Sequence, residues 1–183
     1  MIPRPWAVAI LVAAALLCSA WTPIESEPTA SPDEVSAAMG RWITAAKTAQ
    51  RCAAFLPLVN RWLPDFPDLD PALVLAVAAA ESSCLTDPDP NAAGAIGLMQ
   101  VIPRPWLFPA ERLTDPALNL YAGMFILDAA IRGAGGDLRL ALARYNCGEV
   151  SVAAGRCRPG GGFEYADRVI GSWLPVIRAY LPG

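Results

Sequence analysis

Asp70-Pro71-Ala72-Leu73-Val74-Leu75-Ala76-Val77-Ala78-Ala79-Ala80-Glu81-Ser82-Ser83-Cys84 is the stretch whose reading decides the fold. Asp70 followed by Pro71 is an N-cap residue with proline at the first helical position, and from Ala72 to Ala80 the chain contains only Ala, Val and Leu. A helix apolar on every side is a buried helix. The spacing therefore predicts a core helix that carries one carboxylate, Glu81, in its last turn. Low dielectric and the negative end of the helix dipole both disfavour the ionised form there. A carboxyl with a raised pKa can donate a proton at neutral pH, as a general acid must. An isolated Glu near a helix C-terminus is more often simply solvated, so the assignment needs support from the rest of the chain.

With 183 residues the chain has room for one domain with a real core. Hydrophobic residues make up 55% of it and no strand-like alternation is sustained, so the class is mostly α. Histidine is absent, which excludes Ser/His/Asp and Cys/His nucleophilic sites, imidazole metal ligands and histidine bases together. Acid/base chemistry is left to carboxylates and Tyr. There is no phosphate-cradling glycine loop followed by Lys and no aromatic-interleaved basic patch, so neither a nucleotide nor a nucleic acid is expected. The net charge of −3 argues against a polyanion held by charge. No cofactor and no metal site are expected.

Arg4 and the apolar run from Trp6 to Leu17, with a small-residue exit at Cys18-Ser19-Ala20, have the layout of a secretory signal peptide. Residues 1–20 are assigned to it, and an uncleaved membrane anchor is the alternative. Leu17 stands where a lipidated cysteine needs a small residue, so lipidation of Cys18 is not expected. Removing these residues takes away one cation, Arg4, and no acid, so the net charge of −3 becomes −4. It leaves Cys52, Cys84, Cys147 and Cys157, an even set that reads as two disulfides in an exported chain. Three connectivities exist; Cys147 with Cys157, closing a short loop, and hence Cys52 with Cys84, is the favoured one. Free thiols or a zinc site are the alternatives, and the lack of a C-x-x-C pair argues against zinc.

Residues 21–30 read as a linker, and 31–183 as the folded domain. Ser31-Pro32-Asp33-Glu34 has the pattern of a capping box, and Val35, Met39, Trp42, Ala46 and Ala49 recur at helical spacing after it. The Pro/Gly-rich chain after Cys84 is expected to stay non-helical until about Ala95. Trp106 and Phe108, among prolines, are expected to pack in the core, with stacking on sugar faces as the alternative. Asp115-Pro116 and Asp137 are two further caps. The first starts a helix striped by Leu120, Met124, Leu127 and Ile131 that ends in Gly133 to Gly136; the second starts a short one, Leu138 to Tyr145. A last helix begins near Glu164, with Tyr165, Val169 and Trp173 every four residues, and Pro175 is expected to kink or end it.

Four pieces occur in order: Glu81-Ser82; Gly94-Ala95-Ile96-Gly97-Leu98-Met99-Gln100; Ala141-Leu142-Ala143-Arg144-Tyr145-Asn146-Cys147-Gly148; and Tyr165. Together they resemble the soluble lytic transglycosylase catalytic domain, whose fold is similar to goose-type lysozyme. Asp115 to Gly123 also looks like that family's lead into its next helix. The resemblance covers about residues 58–173. It implies a single lysozyme-like helical domain with a catalytic cleft. It also implies an exported, periplasmic enzyme acting on peptidoglycan, with Glu81 as the catalytic acid/base for the bond between N-acetylmuramic acid and N-acetylglucosamine. The family is an exception to the two-carboxylate rule of glycosidases, because the substrate's own acetamido group assists and the C6 hydroxyl replaces water, giving 1,6-anhydro ends.

The same resemblance places Ser82, Gly97, Met99, Gln100, Tyr145, Asn146 and Tyr165 at the substrate. Read from the residues themselves, Gly97 permits a close backbone approach, Gln100 offers a donor and an acceptor, and Met99 would line the cleft floor. Loop anchoring for Gln100, a helix cap for Asn146 and core packing for Met99, Tyr145 and Tyr165 are the ordinary alternatives. Arg144 and Cys147 depart from the family, which often carries small residues at both positions. A hydrolytic muramidase would need a second carboxylate, Asp87 or Asp89, and a catalytically silent wall-binding module would not need Glu81 at all. In size the chain is similar to relatives dedicated to secretion or conjugation machines, which implies such an apparatus as a partner and local cutting of the wall.

Overall fold

The computed structural model describes residues 31–89 and 91–181; the expected signal peptide and linker, residues 1–30, lie outside the described residues. The chain divides after Ala38, so that residues 31–38 open the first helix and residues 39–181 form one compact unit. No strand occurs among the described residues, and none of their helices is long and apolar enough to cross a membrane.

Helix α1, Pro32–Ala53, starts as its capping box requires: the Ser31 N–H donates to the Glu34 carboxylate at 2.8 Å and the Glu34 N–H donates back to Ser31 Oγ at 3.3 Å. Its buried residues are Thr48, Ala49 and Cys52, while Val35, Met39 and Trp42 of the apolar stripe stay exposed. Helix α2, Leu56–Trp62, and a 3-10 turn, Leu63–Asp65, lead into α3, Pro71–Ser82. Asp70 caps α3 through a 2.8 Å bond from Ala72 N–H, and every residue from Ala72 to Ala79 is buried. Full burial of Leu73, Val74, Leu75 and Val77 contributes roughly 2 kcal/mol each. α3 ends on two left-handed residues, Ser83 at φ 55° and Cys84 at φ 57°, the second bonded to Cys52. Cα atoms 5.2 Å apart join the ends of α1 and α3 there, and 5.7 Å separates those of the second bridge, Cys147–Cys157.

The remaining helices are α4, Ala110–Leu113; α5, Pro116–Gly133; α6, Leu138–Cys147; α7, Glu149–Ala153; α8, Phe163–Arg168; and α9, Leu174–Tyr180. Asp115 and Asp137 cap α5 and α6 by accepting from Ala117 and Leu140 N–H groups. α3 is packed by α2 and α9, while α6 lies against α5 and α8.

Three features differ from the sequence expectations. Residues 95–101 are not helical; two backbone bonds between Ile96 and Val101, both 3.0 Å, close them into a tight loop, and Gly97 at φ 73° breaks any helix there. Pro175 does not end the last helix. The segment Val169–Trp173 widens to a π-turn, in which Leu174 N–H reaches Val169 C=O just before the residue that has no N–H to give, and α9 follows. Phe108 packs edge-on against Phe125 at 5.8 Å as expected, but Trp106, at the tip of a turn closed by Arg104 and Phe108, is 82% exposed.

Candidate active site

Glu81 leaves the core at the last turn of α3 and opens onto a cleft of about 710 Å³. Gln100 from the 95–101 loop and Tyr145 and Asn146 from the end of α6 line the same cleft. Burial costs the charged carboxylate its hydration and pushes the Glu81 pKa up to about 7, against the opposing pull of the Tyr165 hydroxyl and the Arg158 and Arg168 charges. A group with that pKa is half protonated at neutral pH and can both give and take a proton.

Tyr165 stands on α8, fully buried beside Glu81, and burial together with the Glu81 charge holds its phenol well above the ordinary range. Its hydroxyl has no partner at hydrogen-bonding distance among the described residues, yet it stands near enough to the Glu81 carboxyl for the two groups to act on each other's ionisation. An unsatisfied buried hydroxyl is costly, and one next to a titrating carboxyl is where a functional site departs from ordinary packing. Tyr145 donates its hydroxyl proton to the Met99 carbonyl at 2.9 Å, tying α6 to the loop; burial, then the Glu81 charge, raises its pKa well above normal. Asn146 Oδ1 accepts from Gly162 N–H at 3.1 Å, which holds the glycine-rich turn before α8 against the end of α6.

Gln100 adopts φ 47°, a left-handed conformation unusual for a side chain of its size. Its amide is engaged at both ends, donating to Gly97 C=O and accepting from Asn91 Nδ2, both at 3.2 Å. The loop-anchoring alternative thus describes what Gln100 does here, at the cleft wall.

Ser82, Gly97 and Met99 do not line the cleft, contrary to expectation, and neither does Tyr165, which is buried in the core. Ser82 is buried and bonds the Leu98 carbonyl at 2.8 Å. The close approach at Gly97 is to a neighbouring side chain, since a Cβ there would overlap the Asn119 amide. Met99 is fully buried, seated on Gly123, where any side chain would collide with it. The three still act on the site, by fixing the loop that carries Gln100. Asp87 and Asp89, the acids considered for holding a water, are exposed and also lie outside the cleft lining.

Asn119, to which the sequence assigns no role, organises the loop that carries Gln100. It is completely buried, accepts from Met99 N–H at 2.7 Å, and donates to the Ile96 and Leu113 carbonyls at 2.8 and 3.0 Å. The signal was there: a lone amide within the apolar stripe of α5, which a buried position tolerates only when bonded. Arg104, Arg156 and Arg158 also line the cleft without having been singled out.

Cys147 is itself part of the cleft wall, so its bridge to Cys157 fixes the segment that follows α6. Replacing both by Ser is expected to lower unfolding stability by about 2 kcal/mol, the low end for a bridge that closes so short a loop. Urea unfolding of the pair variant checks this, and an unchanged midpoint contradicts it.

No curated protein and no solved structure matches the chain. A family model described as "Transglycosylase SLT domain" matches residues 65–158, a span that holds Glu81, Gln100, Tyr145 and Asn146 and stops before Tyr165. More than half of its length is matched, and the chain belongs to the transglycosylase SLT domain family of peptidoglycan-degrading enzymes.

Proposed function

We propose that this protein is a lytic transglycosylase that cleaves the MurNAc-β-1,4-GlcNAc bond of peptidoglycan and leaves 1,6-anhydromuramic ends, with Glu81 as its one acid/base. The observation that carries the reading is the isolation of that carboxyl. Glu81 is the acid in the cleft poised near neutrality, and the other lining acid, Glu149, faces Arg144 at 3.5 Å. Hydrolysis of the usual kind needs a second carboxylate to activate water. Transglycosylation does not. Protonated Glu81 would give its proton to the bridging oxygen as the glycosidic bond breaks, with the substrate's acetamido oxygen stabilising C1. The resulting carboxylate would then take the C6 hydroxyl proton as that oxygen closes on C1, restoring the starting state. Tyr165, its buried hydroxyl near the Glu81 carboxyl, would donate a hydrogen bond to the carboxylate in its ionised interval and so ease the second step.

Gln100, Tyr145 and Asn146 are proposed as the cleft wall against which the sugar lies, and Ser82, Gly97 and Met99 as its support. Export to the periplasm is part of the proposal, drawn from the apolar N-terminal run and the two disulfides, which persist in an oxidising compartment. Action beside a secretion or conjugation apparatus remains a proposal by family analogy.

The test is mass spectrometry of the muropeptides released from intact sacculi. Anhydro products, lighter by one water than hydrolysed ones, are expected throughout the digest; products carrying that water would show a muramidase instead.

A further inference from the structure

A chain with 17 acidic and 14 basic residues lines its cleft with the opposite balance. Four arginines, Arg104, Arg144, Arg156 and Arg158, share the lining with two glutamates, Glu81 and Glu149. Arg144 is engaged, donating to Gly133 C=O at 2.7 Å and facing Glu149 at 3.5 Å, so these two charges offset each other. Glu81 is half neutral at neutral pH. Among the described residues the side chains of Arg104, Arg156 and Arg158 form no ion pair and no hydrogen bond. An uncompensated group of cations at a concave wall creates a positive potential that attracts anions into it.

The backbone that carries the two arginines nearest each other in sequence is held in place. Cys157, between them, is bonded to Cys147 at the end of α6. The turn that follows is pinned by Gly162 N–H on Asn146 and by Gly160 N–H on the Glu164 carboxylate at 2.7 Å. A Cβ at Gly162 would press on Cys157 Sγ, so the turn packs directly on the bridge. Arg158 lies close enough to Glu81 for its charge to act on that carboxyl. A loop already ordered by a cross-link costs less to organise around a ligand than a free loop carrying the same charges would.

We propose that Arg156 and Arg158, displayed on the Cys147–Cys157 loop, bind a carboxylate carried by the glycan strand and thereby select charged peptidoglycan over neutral amino-sugar polymers. The inference rests on the peptidoglycan reading above and names the substituent that the cleft recognises. Peptidoglycan offers that chemistry from two sources: the lactyl carboxylate of muramic acid where the stem peptide has been removed, and the carboxylates of the stem peptide where it is present. Guanidinium groups suit either, since their paired N–H donors match a carboxylate.

The experiment measures binding in a Glu81→Gln background, where no turnover intervenes and no effect can pass through ionisation of Glu81. Three probes are titrated at low and at high salt: a neutral oligomer of N-acetylglucosamine, peptide-free glycan strands, and peptide-bearing strands. The expected result is tighter binding of the charged strands than of the neutral oligomer. The Arg156→Ala/Arg158→Ala pair should reduce that preference about three- to tenfold, as two partly screened charge contacts would. Arg156→Lys/Arg158→Lys should keep most of it, and Arg41→Ala/Arg112→Ala, which removes the same charge away from the cleft, should keep all of it. Both arginines are exposed and unbonded, so these variants are expected to fold.

Loss of preference for the peptide-free strands assigns the lactyl carboxylate, and loss for the peptide-bearing strands assigns the stem. A preference that is absent in the parent, or unmoved in the alanine pair, overturns the proposal. The underlying reading fails in a different way, if Glu81→Gln protein still releases muropeptides from sacculi.

Discussion

Glu81→Gln is expected to lower the release of muropeptides from sacculi by about 10³-fold or more while leaving binding of glycan strands in place. General acid/base catalysis is typically worth about 10²–10⁴-fold, and in the proposed mechanism one group performs both halves of it. Gln has nearly the same shape and can neither donate a proton to the bridging oxygen nor remove one from the C6 hydroxyl. Among the described residues no second acid is placed in the cleft to take over: Glu149 is turned to Arg144, and Asp87 and Asp89 are outside the lining. The wild-type enzyme should in addition lose kcat/KM as pH rises above about 7, since the form that begins the reaction is the protonated one. Rates from soluble muropeptide release across pH, with pull-down of sacculi as the binding control, check both halves. Turnover by the Gln variant within tenfold of wild type removes Glu81 from the chemistry and favours a wall-binding role for the scaffold.

Local chemistry makes α3 legible from the sequence, because Asp70-Pro71 marks its start and an unbroken apolar run admits no exposed face. The caps of α5 and α6 and the capping box of α1 were readable for the same reason: each is settled within four residues. What could not be read depends on partners far along the chain. The 95–101 loop is shaped by Asn119, which reaches it from α5, so Met99 looked like a cleft residue although Gly123 makes room for it in the core. Pro175 reads as either a kink or a helix end; residue type does not choose between them, because the π-turn that accommodates it is a property of the preceding backbone. The balance of charge misled in another way. Summed over the chain it is acidic, and the sum conceals that Arg156 and Arg158 stand together on one cross-linked loop at the cleft.

The substitution that removes activity is also expected to stabilise the fold in alkaline solution, by about 3 kcal/mol at pH 8.5. Unfolded, Glu81 has the ordinary value of 4.5; folded, burial pushes it up to about 7. Between those values the native state keeps a proton that the unfolded state has released. The unfolded state therefore binds fewer protons, and wild-type stability falls as pH rises through this window. Below about pH 4 both states hold the proton and Glu81 contributes no such dependence; above pH 7 the full cost of a desolvated carboxylate is present. Gln carries no ionisation, so the difference in stability between variant and wild type should be near its minimum at about pH 4, grow between 4.5 and 7, and level off beyond. Subtraction cancels every other titrating group. Urea unfolding of the two proteins at several pH values reads the curve directly, with a higher midpoint for the Gln variant at pH 8.5. A constant offset across pH, or a wild type that gains on the variant in alkali, would mean that the carboxyl is as well solvated in the folded protein as in the unfolded chain. It would then have no raised pKa with which to act as an acid at neutral pH.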